Sequence, residues 1–129
     1  MTRQAVSTTG APGAVGPYSQ AIVTDDLVFC SGQVGLDPST GELVSGGVEA
    51  EATRVIRNLE AVLDAAGCTL ADVVKTTCFL ADIADFQKFN AVYAGFWPDP
   101  PPARSTFQVA ALPRGAQVEI EATAVRKRG

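Results

Sequence analysis

The sequence contains no histidine. That removes the one side chain whose ordinary pKa lies close to neutrality, so acid–base chemistry must come from carboxylates, tyrosine, cysteine, lysine or water. Cysteine is scarce as well. Cys30, Cys68 and Cys78 show no metal-ligand spacing and form no C-x-x-C pair, which implies no structural metal. Cys30 in LVFCSG and Cys78 in KTTCFL stand in strand-like runs, where cysteine is a small buried hydrophobe. No apolar run approaches membrane-spanning length, and the opening MTRQAVSTTG lacks an apolar signal core. A cytoplasmic address without a membrane partner is therefore expected. Positive charge is in deficit: Lys plus Arg is 10 against 14 for Asp plus Glu, a net −4. Such a chain lacks the diffuse basic field that phosphate backbones attract, so nucleic acid is not an expected partner. The short basic run Arg126-Lys127-Arg128 reads as a solvated end.

What is present suits one globular domain over residues 1–129. Hydrophobic residues make up 47% and charged residues 19%, enough apolar mass for a real core and too little charge for disorder. No repeat, linker or second composition zone interrupts it. After a strand fragment and an irregular loop, together rich in Ala, Gly, Pro and Ser up to Pro17, YSQAIVTDDLVFCSGQV predicts two strands around a turn at Asp25-Asp26. DPSTGELVSGG is a loop. From Val48 to Ala66 the apolar positions Val48, Ala52, Val55, Ile56, Leu59, Val62, Leu63 and Ala66 predict a helix. Glu49 and Glu51 sit at its positive end, and Gly67 stands ready to terminate it. VVKTTCFL, Val73 to Leu80, predicts a strand. Asp82 and Asp85 are alternative caps for a second helix with Phe86, Phe89, Tyr93 and Phe96 on one stripe, stopped by Pro98 and Pro100 to Pro102. Two more strands follow, about Arg104 to Val109 and Gln117 to Arg126, joined across Leu112-Pro113-Arg114-Gly115. The order predicts an α+β domain with a mixed sheet. Two helices cover one face of such a sheet, which leaves the other for a second subunit.

Strand alternation sorts the C-terminal side chains. Arg104, Thr106 and Gln108 face one way, and Ala103, Ser105, Phe107 and Val109 the other. In the last strand Val118, Ile120 and Ala122 share a face, while Glu119, Glu121 and Thr123 share its opposite. If these two strands are neighbours, Arg104 and Glu119 lie on a common polar face. Pattern alone leaves two readings open, a site or a solvated sheet face with an incidental ion pair.

GPYSQA (16–21), SGQ (31–33), FQKFNAVYAGF (86–96), PARS (102–105) and VEIEATAV (118–125) together resemble the RidA family, the reactive enamine/imine intermediate deaminases also called YjgF-type or L-PSP proteins. The segments occur in the family's order and span nearly the whole chain. The resemblance implies a chorismate-mutase-like α+β fold, with two helices packed on one face of the sheet. It also implies a homotrimer whose active sites lie between subunits, acting on small imine or enamine carboxylates released by pyridoxal-phosphate enzymes. The products are a 2-keto acid and ammonia, and neither metal nor organic cofactor is implied. By the same resemblance Arg104 is the carboxylate-binding residue, and its planar guanidinium suits a two-pronged clasp. Glu119 orients or deprotonates the attacking water, and Tyr18 supplies a phenolic hydrogen bond. Ser31 and Gly32 line the pocket. Thr106 stands where the best-known subgroup has a cysteine, which bears on substrate preference rather than on the chemistry. Some family members are described as endoribonucleases or translation inhibitors; the net charge and the missing histidine count against that here. A non-catalytic trimer that binds small carboxylates is the remaining alternative.

Overall fold

The computed structural model describes residues 3–126. Lys127 and Arg128 of the basic run lie outside these residues; Arg126 is exposed, and its backbone N–H donates to the Asp26 carbonyl at 2.7 Å.

Six strands form one sheet: β1 (Gln4–Val6), β2 (Ala21–Val23), β3 (Leu27–Val34), β4 (Val73–Leu80), β5 (Ala103–Gln108) and β6 (Val118–Val125). Helix α1 (Gly47–Ala65) joins β3 to β4, and α2 (Phe86–Tyr93) joins β4 to β5. The spatial order is β1-β2-β3-β6-β4-β5. Every pair is antiparallel except β4–β5, whose parallel run needs the crossover that α2 provides. The sheet is thus mixed, and the fold is α+β in one domain.

The apolar stripe of α1 is buried from Val48 to Leu63 and packs on the sheet with Val28, Cys78, Leu80, Val118, Ile120 and Ala124. Truncating such a fully buried aliphatic side chain to alanine typically costs about 2–5 kcal/mol. The helix ends as its sequence predicts. Gly67 adopts a left-handed φ of 80°, its N–H donates to Asp64, and Cys68 N–H donates to Leu63. At the other end Glu51 departs from expectation. It is buried rather than a solvated terminal charge, and its carboxylate accepts from the backbone N–H and side-chain amide of Gln117 at 2.8 and 2.9 Å. A buried carboxylate needs such donors, and these fasten α1 to the entry of β6.

The second helix is shorter than its aromatic stripe. Asp82, not Asp85, makes the capping bond, accepting from Ala84 N–H ahead of a 3-10 turn. The helix closes at Tyr93, so Phe96 packs against the core from the turn beyond it. All three cysteines are buried free thiols, and burial pushes Cys30 up to about 12 and Cys78 up to about 11. Both helices lie on one face. The opposite face leaves Leu27, Phe29, Phe107 and Val125 exposed; register places them on the same side as Glu119.

The condition for a common face is not met. The strands bearing Arg104 and Glu119 are not neighbours, because β4 runs between them. Pairing sets Arg104 beside Thr76 and Thr106 beside Cys78, and those two partners are wholly buried under the helices. Glu119 pairs with Phe79 and Val34 on the other face. The reason lies in the two strands themselves. In β6 Val118, Ile120, Ala122 and Ala124 are all buried, which a strand achieves with neighbours on both sides. β5, short and preceded by prolines, suits an edge.

Candidate functional site

A cleft of about 610 Å³ opens at the end of β3 on the uncovered face. Tyr18, Ser31, Gly32 and Glu119 line it together, so four residues singled out in the sequence converge. Two buried amides build its walls. Gln20 accepts from Thr8 N–H at 2.7 Å and donates to the carbonyls of Thr8 and Pro12, which shapes the loop leading to Tyr18. Asn58 of α1 donates to the carbonyls of Val34 and Leu36 and accepts from Arg54. Both side chains thus satisfy backbone groups where regular strand pairing gives way to loop.

Ser31 contributes structure to the site. Its hydroxyl donates to Ser19 carbonyl at 2.6 Å and its N–H to Gln20 carbonyl at 3.0 Å, tying the Tyr18 loop to β3. Tyr18 is about half exposed, and its hydroxyl accepts from Val15 N–H at 3.3 Å. Gly32 sits where the β3–β6 register slips between Cys30 and Gln33. Its need for glycine is spatial: a Cβ there would lie 2.6 Å from Glu119 Oε2. The Glu119 carboxylate therefore rests directly against the β3 backbone.

Glu119 is half-buried, whereas Glu121 is exposed on the same face. Burial, and then the Glu121 charge, hold the Glu119 carboxyl above its ordinary range. A carboxylate raised in this way is a better proton acceptor than a free one. Pro113 and Arg114 close the far wall, with Arg114 in a left-handed turn at φ 61°. The sequence showed that segment only as a connection. A bulky residue between proline and glycine was the available signal.

Arg104 lines a second cleft of about 440 Å³ with Asn90, Tyr93, Trp97 and the Pro98–Pro102 turn. Its guanidinium carbon lies 4.8 Å from the Tyr93 ring centroid, 5.5 Å from Phe86 and 5.7 Å from Phe89. Among the described residues no carboxylate pairs with it. Thr106 faces the same way with its hydroxyl oxygen buried, and it lines neither cleft. Asn90 and Trp97 went unread in the sequence, and Tyr93 was read only as core. It is core, and it also touches Arg104. Among the described residues no cluster of His, Cys, Asp or Glu could hold a metal ion.

One chain thus carries two clefts on opposite faces of its sheet. One has a raised carboxylate, a phenol and a backbone floor. The other has a cation with no ion-pair partner among the described residues.

Against known proteins, the sequence model of the family described as Endoribonuclease L-PSP matches residues 8–126. A human protein named 2-iminobutanoate/2-iminopropanoate deaminase is 51% identical over 126 residues, 98% of this chain and 92% of that one. The crystal structure of RidA from an Antarctic Psychrobacter superposes with a TM-score of 0.92 at 46% identity, covering 95% of this chain and 98% of that one. Escherichia coli TdcF with bound serine gives 0.91 at 40% identity, covering 96% and 99%.

Proposed function

Because the chain belongs to the Endoribonuclease L-PSP family, we propose that it is the deaminase its resemblance implied, hydrolysing 2-imino and 2-enamino acids to 2-keto acids and ammonia. The observation that carries this reading is Glu119, a half-buried carboxylate of raised pKa in a cleft shared with Tyr18, in a chain about half identical to named deaminases. Water adds to the electrophilic C2 of the iminium, its proton passing to Glu119. The carbinolamine then collapses: Glu119 returns its proton to the nitrogen, the hydroxyl proton passes to Glu119 as the C=O forms and the C–N bond breaks, and ammonia leaves. Tyr18 hydrogen-bonds the water or the departing nitrogen. An iminium is already electrophilic, so placement and modest base assistance suffice.

Arg104 clasps the substrate carboxylate from a neighbouring subunit. Its face of the sheet is not that of Glu119, so a complete site takes one half from each of two chains. We place the chain in a homotrimer of the chorismate-mutase-like type, with the apolar face around Phe29 and Phe107 covered on assembly. Thr106 sits two residues from Arg104 on the same face and bears on the fit of the substrate beyond the carboxylate. A cytosolic address accords with three free, buried cysteines. The net charge of −4 disfavours a nucleic-acid substrate.

The test supplies freshly generated 2-iminopropanoate and follows keto-acid formation above the spontaneous rate. Acceleration is expected, and binding without turnover would leave only the non-catalytic reading. Light scattering at micromolar concentration is expected to give about three chain masses; a stable, active monomer would remove the shared cleft. Gly32→Ala probes the floor. The added methyl displaces the Glu119 carboxylate, a movable chain end, so the trimer is expected to persist while turnover falls about 10- to 100-fold. Unchanged turnover would show that Glu119 need not rest there.

A further inference from the structure

We propose that Tyr93 is a positioning residue for Arg104, an inference that rests on the carboxylate-binding role given to Arg104 above. Three rings of α2 surround the guanidinium, and Tyr93 is nearest at 4.8 Å from its centroid. All three lie within the distance at which a cation is held by a ring face. The Tyr93 ring is itself fixed at both ends. Its hydroxyl shares a buried 2.7 Å hydrogen bond with Thr76, the residue that pairs with Arg104 across β4 and β5. Its ring packs between Phe89 and Trp97, with centroids 5.5 and 5.1 Å away. Sheet register, hydroxyl and ring therefore close a loop that returns to the guanidinium.

The geometry divides the labour within one side chain. The rings hold the cation through its charge, whereas a carboxylate is recognised by the N–H donors of the guanidinium. Among the described residues Arg104 has no ion pair, and Asp99, which lines the same cleft, stays beyond ion-pair distance. An acidic partner would hold the arginine equally well but would compete with substrate. A cage of rings orients the cation and leaves its donors to the ligand.

The experiment measures kcat and KM of the full chain for 2-iminopropanoate and for its methyl ester, which lacks the carboxylate. Tyr93→Leu is expected to raise KM for the carboxylate-bearing imine about tenfold, with a smaller change in kcat. Its rate on the ester should stay within about twofold of the parent. Tyr93→Phe keeps the ring and is expected to recover most of the loss. Placed in an Arg104→Ala background, Tyr93→Leu should add almost nothing, since the two act as one unit. Equal losses on both substrates, or a full additive loss in that background, would mean that the ring merely supports α2. If Tyr93→Leu does not assemble, Phe86→Leu removes a half-buried ring from the same cage; a KM rise confined to the carboxylate substrate is again expected, and its absence overturns the proposal. Should Arg104→Ala itself leave KM unchanged, the carboxylate-binding reading fails. Should it raise KM while the ring variants behave as the parent, only the positioning role falls.

Discussion

Glu119→Gln is expected to lose about 10²–10⁴-fold of turnover while the protein stays folded. The amide keeps the shape that rests against Gly32 and loses only the ability to take a proton. Glu121→Gln is the internal control. The two glutamates share a strand face and lie about 6.6 Å apart, too far for both to serve one water. They differ in setting, since Glu119 is half-buried and Glu121 exposed. Glu121→Gln should keep most of its rate, and it should also move the pH profile. Burial and the Glu121 charge both hold the Glu119 pKa up. The base is lost as pH falls through that raised value, so the acid limb lies above the range of an ordinary carboxylate. Removing the Glu121 charge is expected to shift this limb to lower pH, though not fully, because burial remains. Stability carries the opposite sign from rate. The folded chain binds the Glu119 proton more tightly than the unfolded chain does. Its destabilising charge is absent below the ordinary carboxylate pKa, grows as pH rises toward the folded value, and is full above it. Glu119→Gln should therefore unfold no earlier than the parent at pH 7. Equal rate losses in both variants would make the face a diffuse acidic surface. Loss in Glu121→Gln alone would move the base by one side chain along β6.

Arg104→Ala is expected to lower turnover of a carboxylate-bearing imine at least about tenfold, with Arg104→Lys less affected. A charge-assisted hydrogen bond is typically worth about 1.5–3 kcal/mol, and about 1.4 kcal/mol corresponds to a factor of ten. Lysine preserves the charge but not the fork, and it stacks less well within the Phe86, Phe89 and Tyr93 cage. Mixing gives a sharper result. If each site takes Arg104 from one chain and Glu119 from the next, refolding equal amounts of Arg104→Ala and Glu119→Gln chains together restores about one intact site in four. If both residues serve within one chain, the mixture contains no intact site at all. Recovery near a quarter of parental activity is therefore expected, and none would sink the shared cleft.

Periodicity carried much of the fold. The α1 stripe, the β-branched run of β4 and the strict alternation of β6 each state which side chains leave the core, because helix and strand geometry are local. On that basis Glu119 had to point away from Val118 and Ile120, and Gly67 had to end the first helix. The resemblance of PARS and VEIEATAV marked Arg104 and Glu119, and with Tyr18, Ser31 and Gly32 it named the residues now seen to line one cleft or the other. Local rules could not state which strands are neighbours. Alternation fixes the parity of Arg104 and of Glu119 within their own strands, but the relation between two faces depends on pairing. With β6 inserted between β3 and β4, and β5 carried to the edge by α2, the two residues stand on opposite faces of one chain's sheet. Glu51 went unrecognised as a buried anchor for the same reason, since its donors on Gln117 lie 66 residues away. The pairing of Thr76 with Tyr93 beside Arg104 was likewise out of reach. A sequence declares the direction of a side chain through its own backbone, whereas its partners are chosen by long-range packing, which exists only once the sheet has closed around the core.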